Sequence, residues 1–123
     1  MSSILYVHTG GVNNPERSAT PIYLATTAAA MDVEVGIYFT VNGPTLLKKG
    51  VAESLIVPKF DGTGAPLRRF IDQARDMGVK FYVCQPSLDL HGLTVDDLIE
   101  GVQMIGGAAF NDMALEADQV ICF

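Results

Sequence analysis

Short runs of β-branched and aromatic residues alternate with segments of helical period along this chain, and few architectures accommodate that alternation. Ile4-Leu5-Tyr6-Val7-His8, Val33–Thr40 and Val79–Cys84 are bounded by turn residues and read as strands. Leu55-Ile56-Val57 and Gln119–Phe123 are weaker runs of the same kind. Runs that are apolar at nearly every position suit a sheet covered on both faces. Strand and helix in strict alternation imply an α/β fold, a mostly parallel sheet of about five strands joined by right-handed crossovers.

The helical segments carry their own signals. Leu67, Phe70, Ile71, Ala74 and Met77 line one face, Arg68, Asp72, Gln73 and Asp76 the other, and Gly78 is placed to stop the helix. Ile22 to Met31 is small or apolar all round, as expected of a helix buried against a sheet or a neighbouring subunit. It is expected to start at Thr20 as cap with Pro21 in first position, after an irregular lead-in from Pro15. Thr94 and Asp97 resemble a capping box, predicting a further helix with Val95, Leu98, Ile99 and Val102 inward. A last helix turns Phe110, Met113, Ala114 and Ala117 inward. Met31, Met77, Met104 and Met113 are all expected at helical core positions.

The chain has 123 residues, 49% of them hydrophobic, and is read as one domain, residues 1–123, large enough to bury a core without staples. Fourteen acidic residues against eight basic ones argue against a nucleic-acid surface, which needs clustered Lys and Arg. No apolar run approaches the roughly 18 residues of a membrane span, and Met1-Ser2-Ser3-Ile4 does not open a leader. The expected location is the cytoplasm, with no membrane and no nucleic-acid partner. Cysteine spacing suggests no scaffold, and no C-x-x-C, H-x-x-x-H or H-E-x-x-H spacing suggests a metal; no metal and no cofactor is expected.

Ligands of an open parallel sheet gather beyond the carboxyl ends of its strands. Three connections leave that edge: His8–Asn14, Thr40–Pro44 and Cys84–Leu93, the last expected to be an irregular loop because of Pro86, Ser87 and Gly92. Cys84 ends a strand there, so its thiol is either a reactive thiolate or simply a core side chain. His91, in the same loop, and His8, ending the first strand, could each assist it or be ordinary structural histidines. Cys122, between Ile121 and Phe123, reads as a packed, inert thiol. A Cys84–Cys122 bridge would require Cα atoms within about 7 Å. Thr9, Gly10, Gly11 and Asn13 form a glycine-containing turn that could cradle an anion with backbone N–H groups, or merely connect strand to helix. The Pro-x-x-x-Thr-x-x-Cys pattern of peroxiredoxins is absent around both cysteines.

Several segments in order, Ala19–Ala25, Ala28–Met31, Glu34–Thr40, Gly43 with Leu46–Gly50, Phe81–Cys84, Gly106–Ala108 and Leu115–Asp118, resemble the DsrE/DsrF-like family of small sulfur-relay proteins, end to end. The resemblance implies a three-layer α/β/α domain, trimers or hexamers, and a cysteine just after the fourth strand that carries sulfane sulfur; Cys84 is the matching position. It implies a sulfur carrier or sulfurtransferase, with sulfur donor and acceptor proteins or small sulfur compounds as partners. The residues alone leave two alternatives, a nucleotide- or anion-binding module and a non-catalytic subunit of an oligomer. A net charge of -6 suits a partner with a basic face.

Overall fold

A computed structural model describes residues 2–123. Five strands form one sheet in the order β6-β5-β2-β1-β7, every neighbouring pair parallel. They are β1 (Ser3–His8), β2 (Glu34–Phe39), β5 (Lys80–Cys84), β6 (Val102–Ile105) and β7 (Gln119–Cys122). Two further strands, β3 (Ile56–Pro58) and β4 (Gly64–Pro66), pair antiparallel as a separate hairpin. The apolar run at 55–57 thus builds that hairpin, and the fifth strand of the main sheet is β6.

The helices are α1 (Pro15–Ser18), α2 (Thr20–Ala30), α3 (Val51–Ser54), α4 (Leu67–Asp76), α5 (Gln85–Leu90) and α6 (Gly107–Glu116), with single 3-10 turns at Gly43–Leu47 and Val95–Asp97. Right-handed crossovers fix which side each connection takes. The chain steps β1, β2, β5, β6 in one direction across the sheet and places those connections on one face. The return from β6 to β7 runs the other way, so α6 lies alone on the opposite face.

The covered face holds the main core: Ile22, Ala25 and Ala28 of α2, Leu67, Ile71 and Ala74 of α4, and Leu88 of α5 meet Tyr6, Ile37, Phe39, Phe81 and Val83. Full burial of each large aliphatic or aromatic side chain contributes about 1.5–3 kcal/mol. The second face has a smaller core of Leu5, Val7, Tyr38, Cys84 and Ile105, against which Phe110, Met113, Ala114 and Ala117 rest, as their spacing predicts. No residue of α6 is fully buried.

Helix α4 ends where Gly78, at φ 87°, lets the N–H groups of Gly78 and Val79 return to the carbonyls of Arg75 and Ala74. Helix α2 is capped at Ala19 and not at Thr20, which is its first residue, so Pro21 is second and still in the first turn, while Pro15 opens the short helix α1 where an irregular lead-in was expected. The Thr94–Asp97 pair does form: the Thr94 N–H donates to the Asp97 carboxylate at 2.8 Å. It caps one 3-10 turn and not the expected helix, because Leu98 is extended, Gly101 turns at φ 82° and Val102 opens β6. The Arg75 guanidinium pins that turn, donating to the Glu100 carbonyl while lying over the Phe81 ring. Met31 and Met77 fall just past helix ends and are exposed, Met104 is on the edge strand β6 and exposed, and only Met113 is a helical half-buried position.

Candidate functional site: the Cys84 pocket

Strand β5 delivers Cys84 to the carboxyl edge of the sheet, and its side chain points to the face that carries α6. Cys84 closes the fifth strand in chain order, the third to enter the main sheet, where the resemblance implied a fourth. The segment after it is helix α5 and not an irregular loop. Pro86 lies in the first turn of α5, where a missing N–H costs nothing. That turn brings Ser87 back beneath the sulfur.

Two hydroxyl groups meet the sulfur of Cys84. Ser87 Oγ lies 2.7 Å from Sγ and Thr40 Oγ1 lies 3.2 Å away, while Tyr38 of β2 packs in the same small core on that face. Burial pushes the thiol pKa up, and hydrogen bonds from Ser87, Thr40, Tyr38 and the Ser87 backbone N–H outweigh it, leaving the thiol more acidic than an ordinary cysteine. Tyr38 is pushed the other way, by burial first and then by its place beside the sulfur, so it keeps its proton. Phe110 of α6 covers Tyr38 with ring centroids 4.3 Å apart. Cys84 is 7% exposed, and every donor around it can stabilise negative charge on sulfur.

The histidines separate. His91 Nε2 lies 2.9 Å from the Val41 carbonyl, so it braces the Thr40–Val41 turn beside the cysteine. Val41 is β-branched yet sits at φ 58°, and its N–H donates to Ser87 Oγ at 2.7 Å. His8 points to the opposite face of the sheet. It is buried, with Nε2 2.9 Å from the Ser18 carbonyl and Nδ1 accepting from the Gly10 N–H, and it does not meet Cys84.

The Thr9–Asn14 turn is engaged within the chain. The N–H groups of Thr9, Gly10, Val12 and Asn14 donate to Phe123 O, His8 Nδ1, Thr45 Oγ1 and Gly11 O. A Cβ on Gly11 would come within 2.6 Å of the Asn42 carbonyl, so this glycine permits close packing of two loops. Asn13 is exposed at the turn.

Cys122 is exposed, contrary to the packed core position read from its neighbours, because β7 is an edge strand with all four residues exposed. It pairs with Val7 and so shares a sheet face with Cys84. Three strand spacings, about 14 Å, separate the two cysteines, too far for a disulfide. Among the described residues no group of three or more His, Cys, Asp or Glu is arranged to hold a metal, and no helix is long and apolar enough to cross a membrane. A hollow of about 390 Å³, lined by Ile4, Val35, Met77, Lys80 and Met113 among others, opens at the amino edge of the strands, the opposite end from Cys84.

The DsrE/DsrF-like family model matches residues 2–123. The chain belongs to the DsrE/DsrF-like family. Among its relatives, the sulfur carrier protein DsrE2 of Allochromatium vinosum is 27% identical, over 80% of this chain and 84% of that one. An uncharacterized protein of Methanopyrus kandleri is 30% identical, over 88% of this chain and 83% of that one. A Methanocaldococcus jannaschii relative, also uncharacterized, is 26% identical over 89% of this chain, which spans only 38% of that longer protein. The crystal structure of the YchN protein from E. coli shares the fold along the full length of both chains, with a TM-score of 0.81 at 19% identity. Sequence reasoning on this DsrE/DsrF-like chain singled out Cys84 as a candidate and did not connect the neighbouring hydroxyls with it. Tyr38 is on β2 and Thr40 directly follows that strand, and only the alternation of β2 could have placed Tyr38 on the cysteine's face.

Proposed function

We propose that this protein is a sulfur carrier in which the Cys84 thiolate takes sulfane sulfur from a donor, holds it as a persulfide and yields it to an acceptor thiol. The observation that carries the reading is one shielded thiol at the carboxyl edge of a parallel sheet, within hydrogen-bond reach of the Ser87 and Thr40 hydroxyls. Charge on the sulfur is stabilised there without a metal or a general base, and thiol exchange needs little more than a thiolate with access. The relationship to a protein named as a sulfur carrier adds support. The anion-binding reading is weaker, since four N–H groups of the Thr9–Asn14 turn donate inside the chain.

Intact-mass measurement after incubation with polysulfide or glutathione persulfide tests the function. The wild-type protein is expected to gain whole sulfur atoms that dithiothreitol removes, and Cys84→Ser is expected to gain none at that site. Wild-type protein that gains no sulfur from any donor, or undiminished gain in Cys84→Ser mapped by peptide mass, would overturn it.

We also propose that copies of the chain assemble through the face carrying α6. This differs from the interface expected at residues 22–31, since α2 turns Ile22, Ala25 and Ala28 into the core. The α6 side offers exposed Leu115 and Val120 beside half-buried Phe110 and Met113. Sedimentation is expected to show an oligomer that Leu115→Glu weakens; a monomer at all concentrations removes the proposal.

A further inference from the structure

We propose that Ser87 is a catalytic residue of the Cys84 chemistry, a hydroxyl that turns its proton onto the sulfur whenever the sulfur is charged. The reaction it serves rests on the sulfur-carrier reading above; its geometry does not.

A serine hydroxyl has one proton to donate and two lone pairs. The Val41 N–H, which can only donate, occupies one lone pair at 2.7 Å. While Cys84 is a thiol, its S–H can donate to the other lone pair, and the Ser87 proton is free for Thr40 Oγ1 at 3.2 Å. A thiolate has no proton and can only accept. The Ser87 proton then points at Sγ, with its oxygen still held by Val41. Donation from a group that is itself accepting is strengthened by polarisation along the chain. The Val41 turn maintains this arrangement at φ 58°, a conformation unfavourable for a β-branched residue, braced by His91 at its carbonyl.

Exchange uses the charged sulfur twice. In loading, the Cys84 thiolate attacks the outer sulfur of a persulfide R–S–SH; the Sγ–S bond forms, the donor S–S bond breaks, and its electron pair leaves on R–S⁻. In unloading, an acceptor thiolate attacks that same outer sulfur and the pair returns to Cys84 Sγ. Neither step needs an oxidant or reductant. Cys84 is the nucleophile of the first step and the leaving group of the second. A donor that stabilises the thiolate makes it a better leaving group, and a larger thiolate fraction offsets its weaker intrinsic nucleophilicity, whose dependence on pKa has a slope of about 0.4–0.5.

Loss of the Ser87 hydroxyl therefore has an asymmetric signature. Unloading slows at every pH, whereas loading slows only at pH values where Cys84 is largely protonated. The titratable groups facing this site are Tyr38 on β2 and His91 at the end of α5, and Asp89 of α5 is engaged with the Gln85 amide at 2.8 Å.

The test uses the full chain in a Cys122→Ser background, so that one thiol reports. Iodoacetamide alkylation against pH reads the thiolate; glutathione persulfide loads it and dithiothreitol unloads it. In Ser87→Ala the alkylation profile is expected to move to higher pH, and unloading to slow roughly five- to tenfold, the share of one charge-assisted hydrogen bond felt by the partial charge on the leaving sulfur. Ser87→Thr, which keeps a hydroxyl, is expected to stay near the parent. Should Ser87→Ala fail to fold, Ser87→Gly takes its place with the same expected shift and slowing, and Ser87→Thr must still follow the parent profile. Unchanged profile and unloading in Ser87→Ala, or equal slowing of loading and unloading at all pH, would overturn the proposal. A parent that alkylates as expected but never retains sulfur would instead refute the carrier reading, with the Ser87 effect on the sulfur still measured.

Discussion

His8 and Cys84 end two strands at the same edge of one sheet, yet opposite side-chain directions give them different chemistry. Cys84 is met by donors that favour its charge. His8 is met by a carbonyl and an N–H that together specify the neutral, Nε2-protonated ring. Burial pushes its pKa down, the Ser18 carbonyl pushes it up, Arg17 pushes it down, and the net result lies below the ordinary histidine value. The unfolded chain therefore binds a proton that the folded one refuses. Stability from neutral His8 is fully present above about pH 6.5 and is lost as pH falls below it. Thermal melts from pH 8 to pH 5 are expected to show this loss, and the gap in midpoint between wild type and His8→Gln should narrow toward pH 5. A gap independent of pH would show that His8 titrates normally. The sequence offered both histidines as assistants because strand direction alone does not reveal which face an end residue takes.

Elements were legible in proportion to how local their cause is. The amphipathic stripe and Gly78 gave α4 its limits, and the two prolines gave α2 its start. The turn at Thr94 was read one step too far: a capping box satisfies N–H groups at a first turn, while continuation depends on Gly101 and on pairing with β5, which local residues do not announce. Helix α5 was missed for the converse reason, its Pro86 being read as a breaker when first-turn placement makes it compatible. Two glycines show how context decides. A Cβ on Gly43 would lie 2.4 Å from the His8 carbonyl oxygen, whereas Gly107, at the start of α6, faces open space. Gly43→Ala is expected to destabilise the fold by about 1–3 kcal/mol, as two backbone segments must part. Gly107→Ala should be neutral or stabilise by about 0.4–1 kcal/mol. Denaturant unfolding of both variants checks the pair, and equal effects would contradict the packing described.

At the scale of the molecule, a parallel sheet with helices on both faces followed from alternation alone; the unequal cover of those faces did not. It comes from strand order together with crossover handedness, and strand order is set by contacts between remote residues. The same asymmetry explains both cysteines. They share the sparsely covered face, but Cys84 is buried near the middle of the sheet and Cys122 lies on its edge. Mild oxidation of dilute protein is therefore expected to give no Cys84–Cys122 disulfide, and a bulky maleimide should label Cys122 well before Cys84, as read by peptide mass. An intramolecular bridge formed without unfolding would contradict the strand order.

That order also bears on how the chain is made. Strand β1 is synthesised early, yet one of its two edges is covered only by β7, and the Ser3 N–H meets the Asp118 carboxylate across 115 positions of sequence. A nascent chain can dock β2, β5 and β6 with their helices while that edge of β1 stays open. Until β7 leaves the ribosome, the partly made protein presents a bare strand edge one strand in from the border of its future sheet, the kind of surface on which neighbouring nascent chains pair or chaperones bind.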